Sequence, residues 1–120
     1  MSCSNCTAAL HLAAMALDLG AGDAFIVPSI TFLATANAPH LSGAEVEFAD
    51  VASDRGLMTA RTLGAARGLR LRAVFPVHLN GQSADMRALA EQLAGFVERR
   101  AAMTHDDLDH VTEAPARAVG

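Results

Sequence analysis

Ala24-Phe25-Ile26-Val27-Pro28 is the stretch that decides the fold. Four apolar residues stand in a row and a proline stops them. A strand without a polar alternate is buried on both faces, as in a parallel sheet covered by helices on each side. Upstream, Ser4-Asn5-Cys6-Thr7 forms a short polar turn that opens directly into an Ala/Leu helix. From Thr7 to Leu19 only His11 and Asp18 interrupt the apolar run, so this helix is expected to be buried all round. Gly20 and Gly22 are expected to close its C-terminal end. Downstream, Ser29 or Thr31 is the expected cap of a second helix reaching about Leu41. Pro39 lies inside it, where a lost hydrogen bond and a ring clash cost about 3 kcal/mol, so a kink or an early end is expected.

Glu45 to Ala49 alternates polar and apolar, with Val46 and Phe48 on one face, and reads as a half-covered strand. Asp54-Arg55-Gly56 is a turn. Thr59 caps a weak helix to about Ala66, in which Gly64 costs about 1 kcal/mol relative to Ala. Leu71 to Val77 is a third strand. Ser83 is then expected to cap an amphipathic helix. Met86, Leu89, Ala90, Leu93 and Val97 form its apolar stripe, while Arg87, Glu91 and Glu98 face water. The order predicts an α/β class: a partial three-layer parallel sheet with right-handed crossovers. Residues 1–100 form this partial domain. Residues 101–120 are a divergent tail expected to be poorly ordered, with Thr104 and Asp107 placed to cap one short helix.

The chain has 120 residues, of which 52% are hydrophobic, enough for one packed core. Its arginines are scattered, so no basic stripe points to nucleic acid. No apolar run reaches the roughly 18 residues of a membrane span. The first residues lack the basic and apolar regions of a signal peptide. Two nearby cysteines fit a reducing compartment, and a cytoplasmic protein is the expectation.

The chemistry concentrates at the first helix. Its initial N–H groups have no intrahelical partner and sit at the positive end of the helix dipole, so small residues there let a phosphate approach the backbone. Against this stands an absence: all nine basic residues are arginine, and the chain contains no lysine. GC-rich coding explains that bias without any loss of function. Cys3-Ser4-Asn5-Cys6 has the C-x-x-C spacing of a redox motif, but a thioredoxin needs a strand before it. Cys3 and Cys6 could join His105 and His110 at zinc only across a gap far longer than usual, so no metal ligand is assigned. His78, in Pro76-Val77-His78-Leu79-Asn80-Gly81-Gln82, stands at a strand end near where a substrate could bind; the simpler reading is a partly buried histidine held by backbone hydrogen bonds. His11 and His40 read as packing or surface residues, and Glu45 and Glu47 as the solvated face of a strand.

From Ser4 to about Ala94 the chain resembles the DegT-type nucleotide-sugar aminotransferases, pyridoxal-phosphate (PLP) enzymes of the aspartate-aminotransferase fold. The blocks SNCTAALHLA, LGAGDAFIVPSITFLATANA, GAEVEFADV, GLMTARTL and AVFPVHLNGQSADM follow in family order. The wording is closest to enzymes that aminate a 4-keto-6-deoxy UDP-sugar. The resemblance implies that Cys6, Thr7 and Ala8 hold the PLP phosphate through backbone N–H groups and a hydroxyl, and that Phe32 stacks on the PLP ring. It also implies a nucleotide-sugar partner, amino transfer from glutamate, and a dimer or other homo-oligomer.

Departures from the family bear on activity. The family places several dozen residues ahead of SNCTAALHLA. It also follows GQSADM with an E-D-A-type strand that Gly95-Phe96-Val97-Glu98-Arg99-Arg100 does not supply. The Schiff-base lysine and the C-terminal domain have no counterpart here, and Pro39 replaces a residue the family leaves apolar and helical. Arginine cannot stand in for the lysine, because its guanidinium stays protonated. The expectation is a truncated relative, inactive alone, with no catalytic residue assigned. The alternatives are a non-catalytic interaction or dimerisation fragment, built on exposed apolar faces, or a gene remnant.

Overall fold

The computed structural model describes residues 2–66 and 70–102. Strands β1 (Ala24–Pro28), β2 (Glu45–Ala49) and β3 (Leu71–Val74) form one parallel sheet in the order β2-β1-β3. Helices α1 (Cys6–Ala16), α2 (Leu33–His40), α3 (Ala60–Ala65) and α4 (Met86–Ala102) complete the layers. All five residues of β1 are buried. Phe25 and Val27 enter one core with Ala14, Leu19, Ala36 and Phe75, on the side of α1 and α2. Ile26 points the other way, into a second core with Met58, Leu63, Leu71 and Leu89, on the side of α3 and α4. The expected parallel α/β layer is therefore present, with its centre where the continuous apolar run placed it.

Local chemistry sets the element ends. Asn5 caps α1, its side-chain oxygen accepting from the Ala8 N–H at 2.9 Å. The other end of α1 closes in a Schellman arrangement, with Asp18 N–H bonded to Met15 O and Leu19 N–H to Ala14 O. The left-handed residue of that motif is Asp18 (φ 52°), not a glycine. A carboxamide or carboxylate side chain tolerates this conformation better than most, which is why Asp serves. Gly22 is also left-handed, but further along the exit. In α3, Thr59 and Thr62 exchange side-chain and backbone hydrogen bonds in a reciprocal cap, as Thr59 led us to expect. Gly64 allows α3 to approach α4: a Cβ there would stand 2.9 Å from Gln92 Nε2. Pro39 lies inside α2, one residue before its end, and the helix runs to His40 with Leu41 as its cap, so the expected early end at Pro39 does not occur.

Several expectations are corrected. The helix α1 buries only Ala14 fully, and Leu12, Met15 and Leu17 are exposed. Neither Ser29 nor Thr31 caps α2; Phe32 holds the cap position, and the Thr31 hydroxyl donates to Thr35 Oγ1 at 2.9 Å. Strand β3 ends at Val74, because beyond it Pro76 cannot extend a ladder. Asp85, not Ser83, caps α4 by accepting the Ala88 N–H at 3.0 Å. The inward face of α4 runs through Leu89, Leu93 and Phe96, whereas Met86 and Ala90 are exposed. Phe48 is exposed because the α1–α2 layer covers Val46 and stops short of it. Glu47 is half-buried rather than solvated, and burial, reinforced by the neighbouring Glu45 charge, raises its carboxyl above the ordinary value of 4.5. The expectations for residues 103–120, including the Thr104 cap and the His105–His110 pair, lie outside the described residues.

Two stability predictions follow from this packing. Phe25 is fully buried against Phe75, with ring centroids 5.8 Å apart and planes at 80°. Phe25→Ala should lower the urea unfolding free energy by about 3–5 kcal/mol, while Phe48→Ala should cost less than about 1 kcal/mol. Equal effects would contradict the two-core arrangement. For Glu47 the folded state holds the proton more tightly than the unfolded chain. Its contribution is favourable below 4.5 and is lost as pH rises through the raised folded value. Glu47→Gln should therefore raise the melting temperature at pH 7, and this gain should shrink as the pH falls through the raised folded value and be gone below 4.5.

Candidate functional site

The C-terminal ends of parallel strands are where α/β proteins leave open backbone and place ligands. Here the chain leaves β1 through Ser29–Phe32 and leaves β3 through Phe75–His78, and both segments meet the start of α1. Together they enclose a cleft of about 490 Å³ lined by Cys6, Thr7, Thr31, Phe32, His78 and Met86, with apolar residues at its floor. That size is within the usual range of small-molecule sites.

Each polar group in the cleft has an identifiable cause. Cys6 and Thr7 are the first two residues of α1, so their N–H groups have no intrahelical acceptor. The Ala8 N–H is engaged by Asn5 Oδ1. Of the three consecutive residues expected to hold a phosphate, Cys6 and Thr7 are thus the two with open N–H groups. Phe32 is 74% exposed, a large apolar ring left at the cleft by its position between β1 and α2. His78 is exposed, and its Nδ1 accepts the Ala84 N–H at 3.0 Å. It is held by a backbone hydrogen bond, as the simpler reading had it, but it is exposed rather than partly buried, and it also lines the cleft.

Sequence reading missed Thr35 and Met86. Thr35 is buried and its hydroxyl accepts from Thr31, so the two line the same wall. Helical periodicity gives no signal for this pair, because Thr31 precedes the Phe32 cap and lies outside α2. Met86 was assigned to the core of α4, but its side chain is exposed at the cleft.

A second, larger cleft of about 630 Å³ lies between the β2–α3 connection and the start of α4. Of its polar groups, Thr59 and Asp85 cap helices and Arg55 faces Asp54 at 3.5 Å, while Arg61 also lines it. Cys3 and Cys6 are free and exposed. Among the described residues no group of three His, Cys, Asp or Glu side chains could hold a metal ion. Nor is any described helix long and apolar enough to cross a membrane.

Comparison with known proteins places this geometry. Over 91 residues the chain is 41% identical to a GDP-perosamine synthase of Caulobacter vibrioides, covering 76% of this chain and 24% of that one. An aminotransferase structure from Psychrobacter cryohalolentis matches at 33% identity and a TM-score of 0.72, over 76% of this chain and 23% of the other. A Brucella abortus aminotransferase matches at 36% identity and a TM-score of 0.69, over 82% and 27%. The chain thus spans about a quarter of the length of these relatives. Residues 1–95 match the DegT/DnrJ/EryC1/StrS aminotransferase family, and the chain belongs to that PLP-dependent family.

Proposed function

We propose that this chain supplies the phosphate cradle and ring-stacking face of a nucleotide-sugar aminotransferase, which moves an amino group from glutamate to a keto-sugar nucleotide. The observation that carries the reading is the meeting of Cys6, Thr7 and Phe32 at one cleft. These residues fit PLP. Two open N–H groups at the positive end of α1, with the Thr7 hydroxyl, suit a phosphate, and the exposed Phe32 ring suits a flat heteroaromatic.

When bound, PLP supplies the electron sink for amino-group transfer. The residues of this chain bind and orient. Cys6 and Thr7 fix the phosphate end, and Phe32 sets the plane of the ring. Covalent anchoring of the PLP aldehyde needs an amine, and the 120 residues contain none on a side chain. We therefore read the chain as inactive by itself. Its free, exposed cysteines suit a reducing, cytoplasmic setting.

A second reading, association through an apolar face, is favoured by one observation. Leu12 and Met15 of α1, its cap Leu17 and Leu33 of α2, with Ile30 and Leu41, are all exposed. Such surface favours a self-associated state or a hetero-partner.

Three measurements test these readings. Equilibrium dialysis should show pyridoxamine phosphate retained below millimolar concentration, and Phe32→Ala should weaken retention about threefold to tenfold. No retention at millimolar levels would refute the cradle. Incubation with PLP, glutamate and a UDP- or GDP-linked keto-sugar should give no turnover above background; turnover would refute inactivity. Light scattering after size exclusion should show oligomers, and a monomer with a cooperative melt would remove the association reading.

A further inference from the structure

His78 stands at the turn that carries the chain from β3 to α4. The turn is tight: Gly81 N–H bonds His78 O, Gln82 N–H bonds Leu79 O, and both Asn80 (φ 54°) and Gly81 (φ 76°) are left-handed. This return brings the Ala84 N–H to His78 Nδ1. A backbone N–H can only donate, so Nδ1 carries a lone pair, and the single proton of the neutral ring is on Nε2. The backbone has thereby chosen the tautomer. It leaves Nε2–H as a donor on a residue that lines the cleft, and no protein acceptor is recorded for it among the described residues.

The rest of the lining makes that donor matter. Among the described residues no carboxylate and no arginine lines this cleft, and the ionisable side chains there are Cys6 and His78. An anionic ligand meets no opposing charge there. Beyond the Cys6 and Thr7 N–H groups and the threonine hydroxyls, His78 adds a side-chain N–H donor.

We propose that His78 is a ligand-positioning residue, whose Nε2–H donates to an anionic oxygen of the phosphorylated flat ligand while Ala84 fixes the ring through Nδ1. This rests on the reading of the cleft as a PLP site. The oxygen belongs either to the phosphate or to the ring, and the test separates the two.

Two amide substitutions divide the imidazole. His78→Asn places an acceptor where Nδ1 was, keeping the bond to Ala84 and losing the reach of Nε2. His78→Gln places a donor near the Nε2 position and gives up the Nδ1 acceptor. Binding of pyridoxamine 5′-phosphate, pyridoxamine and inorganic phosphate to the 120-residue chain is measured for wild type and both variants, alongside thermal melting. The expected result is about tenfold weaker binding of pyridoxamine phosphate to His78→Asn with an unchanged melt, and near wild-type affinity for His78→Gln. A parallel loss for inorganic phosphate assigns the phosphate oxygen; a parallel loss for pyridoxamine assigns the ring oxygen. Wild-type affinity in His78→Asn, or losses that only track melting temperature, would overturn the inference and leave the cleft reading standing. Absence of pyridoxamine phosphate binding to the wild-type chain at millimolar levels would overturn both.

Discussion

Burial of β1 on both faces is the constraint on which the structure depends. A five-residue strand with no polar side chain has nowhere to go but between two layers. Phe25 and Val27 commit α1 and α2 to one side, and Ile26 commits α3 and α4 to the other. Hydrogen bonds to β2 and β3 then satisfy the backbone of a segment that water cannot reach. The ladder to β3 skips Arg72, whose guanidinium lies 3.7 Å from the Asp23 carboxylate at the entrance to β1.

The cleft is a by-product of that sandwich. With parallel strands, the chain exits every strand at the same edge. The exits from β1 and β3 therefore lie together, and α1 delivers its N-terminus to the same edge. Cys6, Thr7, Thr31 and His78 line the cleft where the chain turns, while Phe32 stays exposed because its position is outside both cores. An exposed phenyl ring is unfavourable in water, and retaining one at a ligand-sized cleft is the familiar conflict between site and stability.

What could be read in advance followed from strong local rules. The unbroken run Ala24–Val27, the alternation of Glu45–Ala49 and the Thr59 cap each had one physical solution, and the structure adopts it. The family blocks singled out Cys6, Thr7, Ala8 and Phe32; geometry brings Cys6, Thr7 and Phe32 to one cleft, and Ala8 is not among its lining residues. Failures came where two solutions were close in energy. Ser83 and Asp85 are both good caps, and only the position of the first turn of α4 selects Asp85. Asp18 displaced the glycines as the left-handed residue because the helix ended one turn earlier than the apolar run implied. The exposed faces of α1 and the exposure of Phe48 were illegible for another reason: an apolar pattern says that a face favours burial, not which neighbour covers it.

The sheet order also has an outcome for how the sheet can grow. Flanking strands β2 and β3 both end the ladder among the described residues, so each presents unpaired backbone groups laterally. Along β2 stand two like charges, Glu45 and Glu47, an electrostatic guard against lateral pairing. Along β3 the only charge is Arg72, and the strand is four residues long. Recruitment of another strand meets least repulsion beside β3, so lateral extension of this sheet is directional, away from the acidic margin.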